Sequence, residues 1–233
     1  MIDLNYLYID VLIIAFPLIF SFVWKFKYYK FYKPLGASIL IVGGSYIIWD
    51  AFVTSRGDWW FNYEYLSGPE ILGLPIEEIL FFIVVPYACI FIYENLVYFV
   101  GDKEIKFNKW FYLGIFVIFV IIGIIFYRQE YTILAMFSVA LFFLLSAFLY
   151  PQVLKSRLYW MYIILSFIPF IIFNYFLTSL IVVYYNPEAI WGIRVTTIPL
   201  EDFFYNFSML SFYLMVYIYF KNRWIDKKIK NKS

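Results

Sequence analysis

Residues 74–85 read Leu74-Pro-Ile-Glu-Glu-Ile-Leu-Phe-Phe-Ile-Val-Val85, a proline and two acids opening directly into an apolar run. The pattern recurs 124 positions later as Ile198-Pro-Leu-Glu-Asp-Phe-Phe-Tyr205. Sliding the chain by that offset aligns 50–82 with 174–206 without a gap, and eight of the 33 positions are identical. The matches include Thr54/Thr178, Ser55/Ser179, Asn62/Asn186, Glu64/Glu188, Gly68/Gly192, Pro75/Pro199 and Glu77/Glu201. They cluster at polar, non-repetitive positions, which marks a duplication.

Apolar runs long enough to cross a bilayer, about 20 residues each, fall at 7–24, 35–53, 79–100, 110–127, 131–150, 159–183 and 203–220. The offset carries predicted helices 1, 2 and 3 onto 5, 6 and 7 and leaves helix 4 as a linker. Equivalent helices are four spans apart, so the repeats cross the membrane in the same direction. The expected fold is an all-α integral membrane protein of seven transmembrane helices, two parallel three-helix repeats and a linker helix in a 3+1+3 plan. The repeats are expected at 1–104 and 129–233, with the linker at 105–128. Composition agrees: 65% hydrophobic and only 15% charged residues leave more apolar surface than one water-soluble core can bury. The first run is not read as a cleavable signal, because Asp3 precedes it and its lysines follow it.

Fifteen of the 18 basic residues lie in alternate connections, around 25–33, 103–109 and 155–157 and in the segment from Lys221 to Lys232; only Arg56, Arg128 and Arg194 lie opposite. The positive-inside rule then puts the N-terminus outside the cell membrane and the C-terminus in the cytoplasm. The basic tail is expected to touch anionic membrane lipid, and nucleic-acid binding is not expected. Asp50, Glu77, Glu78, Glu201 and Asp202 fall at the outer side.

The chain has no histidine and one cysteine, Cys89, which excludes histidine-ligated metals, histidine-dependent triads and internal disulfides. No metal site is expected. What remains for proton chemistry is Asp and Glu, Tyr, Lys and Arg. A proline followed by acids is also an ordinary helix start, since proline has no N–H to leave unpaired and acids complement the positive end of the helix dipole. Duplication of the carboxylate pair favours chemistry. Adjacent helical positions point about 100° apart, so one acid of each pair can face inward while its neighbour caps the helix. Two carboxyls at an apolar boundary can hold one proton between them, as a paired general acid and base require. Asp50, with Asn174 as its repeat partner, supplies a third polar group at similar depth, either as an interhelical hydrogen bond or as a catalytic group. The ring-rich connection containing Trp59 and Trp60 reads as an interfacial aromatic belt or as a lid whose ring faces stabilise a carbocation. Phe81, Phe82 and Tyr205, just inside the two motif helices, join Asn174, Trp59 and Trp60 as candidate substrate contacts. Glu94, deep in helix 3, has no acidic counterpart and is expected to snorkel or to pair with a lysine.

The twofold Pro-x-Glu-(Glu/Asp) motif at 75–78 and 199–202, each before a phenylalanine-rich membrane helix and with Asp50 and the Thr-Ser pairs upstream, resembles the lycopene cyclase domain of carotenoid-making bacteria, archaea and fungi. That family occurs as two three-helix subunits or their fusion, and nearly the whole chain resembles the fused form. The resemblance implies non-redox cyclisation of the linear ends of lycopene to β rings, through gamma-carotene to beta-carotene. It implies Glu77, Glu78, Glu201 and Asp202 as the acid and base set, without dividing the roles. Lycopene and membrane lipid are the expected partners, with other carotenoid-pathway enzymes as expected neighbours. No cofactor is expected: the other major cyclase family resembles flavoproteins, and no Gly-x-Gly-x-x-Gly occurs here. The main rival is a small-solute transporter of 3+1+3 plan. Such proteins bind substrate near the midplane, whereas the strongest polar signal here is at one boundary.

Overall fold

The computed structural model describes residues 5–226. Residues 1–4 and the basic tail bearing Lys227, Lys228, Lys230 and Lys232 lie outside the described residues. The first half begins with α1 (Tyr6–Val23), whose start is fixed by Asn5 Oδ1 accepting from the Leu7 N–H at 3.1 Å. A continuous helical segment follows from Tyr28 to Arg56, comprising α2 (Tyr32–Ser38), a π turn at Ile39–Gly43 and α3 (Gly44–Arg56). Gly57, at φ 85°, closes α3 in the left-handed conformation that glycine adopts without steric cost. Then come β1 (Trp59–Phe61), β2 (Glu70–Ile71), β3 (Leu74–Pro75) and α4 (Ile76–Phe99).

A shorter helix, α5 (Lys109–Ile125), leads into the second half: α6 (Glu130–Leu149), α7 (Pro151–Lys155), α8 (Arg157–Ser179), β4 (Val183–Tyr185), β5 (Arg194–Val195), β6 (Ile198–Pro199) and α9 (Leu200–Lys221). Among the described residues, six helical segments are long and apolar enough to cross a membrane. The protein is therefore a largely helical membrane protein. At 17 residues, α5 covers only about 26 Å at 1.5 Å per residue.

The two halves interlock. Each motif helix packs on the first helix of its own half, α4 on α1 and α9 on α6. Each also packs on the second helical segment of the other half, α4 on α8 and α9 on α2. Buried tyrosines fill the centre with their hydroxyls satisfied: Tyr213 donates to the Phe82 carbonyl at 2.7 Å, and Tyr159 meets Ser211 at 2.9 Å. At the lysine-rich end, Glu94 is buried and accepts from Tyr217 at 2.7 Å and Lys221 at 2.5 Å, joining α4 to α9.

At the acidic end the loops repeat each other. The β2–β3 and β5–β6 hairpins pair Glu70 with Pro75 and Arg194 with Pro199. Asn62 and Asn186 each accept from the backbone N–H two residues on, Glu64 and Glu188, at 3.1 and 3.0 Å, forming the same local turn. Strands β1 and β4 then pair across the halves, with Trp59 opposite Tyr185. Arg56 ties the ends further by gripping buried Asp58 and meeting Glu130 at 2.8 Å.

Candidate active site

Both motif helices begin earlier than the apolar runs suggest, at Ile76 and Leu200, so each acid pair occupies the first helical turn. The two acids of each pair then separate by direction. Glu77 Oε1 accepts from the backbone N–H groups of Ser67 and Gly68 at 2.7 and 3.0 Å. Glu201 Oε1 accepts from the N–H of Trp191, the repeat equivalent of Ser67, at 2.5 Å, and from the Thr132 hydroxyl at 2.6 Å. Both are fully buried. The shared glutamates thus hold their own loops. The two repeated glycines have different causes: a Cβ at Gly68 would run into Ile76 and approach Glu77 Oε2 to 3.5 Å, whereas Gly192 has open space around it and a φ of 78°.

Glu78 and Asp202 turn the other way, into a cavity of about 650 Å³. The Tyr6 hydroxyl donates to Glu78 Oε2 at 2.7 Å, and Tyr131 donates to Asp202 Oδ1 at the same distance. Asp202 Oδ2 also accepts from Asn174 Nδ2 at 2.9 Å and the Tyr185 hydroxyl at 2.8 Å. Burial beside the Asp202 carboxylate pushes the Tyr185 hydroxyl well above its ordinary pKa, so it stays a donor. Asp50, also on the cavity wall, is 1% exposed; its Oδ2 has no partner, and the Trp59 side chain lies in hydrogen-bonding range. Glu78 interacts electrostatically with both Asp50 and Asp202. Three carboxyls from both halves therefore share one pocket head.

Of the expected contact residues, Asn174, Trp59, Phe81 and Tyr205 line the cavity. Phe82 is buried in the adjoining core, donating nothing to the cavity wall, and Trp60 points outward at 51% exposure. Tyr6, Tyr131 and Tyr185 complete the head and were not singled out by sequence. The signal was present for two of them, because Tyr6 and Tyr131 each occupy the first or second position of their half's first helix. Their offset is 125, one more than the motif offset, so the uniform alignment of helix 1 onto helix 5 slips by one residue.

Beyond the carboxyls the cavity is mostly apolar, with Ser166, Asn206 and Asn95 as polar groups on its wall. It follows α4 along Phe81, Val85, Ala88, Ile92 and Phe99, a single helical stripe, between α1 and α8. From Glu78 to Phe99 that stripe runs about 31 Å, close to the thickness of a hydrocarbon layer, about 30 Å. At its far end Trp24 Nε1 donates to Asn95 Oδ1 at 3.0 Å. The arrangement can deliver and remove a proton at one end of a long hydrocarbon while rings line the space around it.

The family model described as lycopene cyclase matches residues 3–96 and 128–220, one stretch in each half. No curated protein and no solved structure matches the chain.

Proposed function

Because the chain belongs to the lycopene cyclase family, we propose that it closes β rings at the linear ends of lycopene by acid and base catalysis with no redox change. The observation that carries this reading is the convergence of Asp50, Glu78 and Asp202 at the head of an apolar cavity as long as a membrane is thick.

In this reading Glu78 is the acid. It accepts one hydrogen bond, from Tyr6, and has Asp50 beside it, an arrangement suited to a carboxyl that carries a proton between turnovers. Asp202 accepts three, from Tyr131, Asn174 and Tyr185, the partner set of an ionised carboxylate. Glu78 gives its proton to the terminal double bond, leaving a tertiary cation. The electron pair of the neighbouring double bond closes the six-membered ring and moves the cation into it. Asp202 then takes the ring proton whose loss forms the β double bond. One proton enters and one leaves. A ring cation is so strong an acid that a carboxylate with three donors is base enough to deprotonate it. The faces of Trp59, Phe81 and Tyr205 bound the cation's space, each worth about 2 kcal/mol when water is excluded. Glu77 and Glu201 act through the loops they hold and are positioning residues.

The proposed membrane arrangement follows the charge distribution: seven crossings in a 3+1+3 plan with α5 as the linker, the acidic end and N-terminus outside, and the C-terminus in the cytoplasm. Substrate arrives dissolved in lipid from carotenoid-making enzymes of the same membrane. The test is to express the chain in cells that accumulate lycopene and separate the extracted pigments. Ringed carotenoids are the expected result. Unchanged lycopene despite stable membrane insertion would overturn the reading.

A further inference from the structure

The chain is built twice, but its two halves do not offer two equivalent grooves. The long cavity follows α4 between α1 and α8, and the duplication places a second path along α9 between α6 and α3. The residues on that second path are different. Where the cavity floor has the small pair Ala88 and Cys89, the repeat has Phe212 and Tyr213. Tyr213 is fully buried, with its hydroxyl on the Phe82 carbonyl and lodged against Gly43, where even a Cβ would lie 2.7 Å from it. Where Phe170 lines the open wall, the repeat has Tyr46. The Tyr46 hydroxyl meets Ser138 of α6 at 3.0 Å and Ser208 of α9 at 3.2 Å, and Ser138 donates to Ser208 at 2.9 Å. One knot of three hydroxyls thus sews α3, α6 and α9 together where the first path stays open. Helix α5 lies along α6 beside the knot, with Phe119 against Phe204 of α9 and Gly123 close to Phe137. Among the described residues no such helix covers the first path, and its rim residues Leu12 and Phe16 are each 60% exposed on the lipid-facing side of α1.

We propose that the two repeats form one active centre with one polyene groove, entered sideways from the bilayer between α1 and α8, so that each binding event closes one ring and the second end is reached only after release and rebinding. This rests on the cyclase reading above. The shape of the groove defines its occupant: it is mostly apolar along its length, runs as far as the hydrocarbon layer and, among the described residues, has its one cluster of carboxyls at one end. A linear chain with its first end at Glu78 extends its other end some 30 Å away, beside Trp24 and Asn95, where none of the described residues lining the cavity is an acid.

The experiment uses the full chain reconstituted in lipid vesicles with lycopene in large excess over enzyme. Monocyclic product should rise well above the enzyme concentration before bicyclic product appears. Bicyclic product forming from the first turnover, with monocyclic material never exceeding the enzyme, would overturn the proposal. A second arm fills the open path and, separately, loosens the closed one. Ala88→Phe, checked for membrane level and thermal unfolding, should abolish both ring closures, and Tyr46→Phe should leave the product pattern of the parent. If Ala88→Phe inserts normally and still closes one of the two rings, each end has its own groove and the proposal fails. Absence of any ringed product from the unaltered chain would instead count against the cyclase reading itself.

Discussion

At the scale of single residues, the site is organised by a difference of one position. Consecutive residues on a helix point about 100° apart, so the two acids of each motif take separate tasks. Glu77 and Glu201 satisfy loop N–H groups, while Glu78 and Asp202 face the cavity. Loss of an acid or base that transfers a proton costs typically about 10²–10⁴-fold in rate. Asp202→Asn should therefore lower cyclisation into that range, measured as ringed product per unit of membrane protein. Tyr6→Phe removes one hydrogen bond to the protonated Glu78 carboxyl, worth about 0.5–1.5 kcal/mol for a neutral pair. It should slow turnover by up to about tenfold, at 1.4 kcal/mol per factor of ten, without changing which ring forms. A Tyr6→Phe chain as active as its parent would show that this hydroxyl does not orient Glu78.

At the scale of elements, the loops before α4 and α9 are built on one plan, and their shared residues have local causes. Asn62 and Asn186 set the same turn, Pro75 and Pro199 end matching hairpins, and Glu77 and Glu201 receive the loop. Gly68 is required because Ile76 occupies the space of a side chain. Gly68→Ala should destabilise the protein by about 1–3 kcal/mol, the usual cost of overpacking, seen as a lower unfolding temperature in detergent. The repeat, the apolar segments and the carboxylate pairs were legible because each is written in adjacent or evenly offset residues. Helix starts were less legible: hydropathy begins after the acids, but the backbone already turns at Ile76 and Leu200. The long segment from Tyr28 to Arg56 was read only from 35, since the lysines at its start mask the helix. Tyr6 and Tyr131 were missed because the register between α1 and α6 differs by one residue from that between the motifs. The pairing of β1 with β4 joins segments more than 120 residues apart, which no local pattern encodes.

At the scale of the whole molecule, the interlocked halves carry a polar fastening at each end. At the lysine-rich end this is the Glu94–Lys221 pair, with Lys221 also 4.5 Å above the Phe31 ring. Removing one partner of a buried ion pair typically costs about 3–5 kcal/mol because the other charge is left unpaired, whereas replacing both is far milder. Lys221→Met should lower the unfolding temperature markedly, and adding Glu94→Gln should recover most of the loss. At the acidic end the same interlocking brings Glu78 of one half beside Asp202 of the other, which neither half supplies alone. The most direct measurement compares the pigments made in lycopene-accumulating cells by Glu78→Gln and by Glu77→Gln at matched membrane levels. The account predicts only linear lycopene from Glu78→Gln, and ringed carotenoids from Glu77→Gln together with a lower unfolding temperature. Ringed product from Glu78→Gln, with an inactive but normally stable Glu77→Gln, would contradict it.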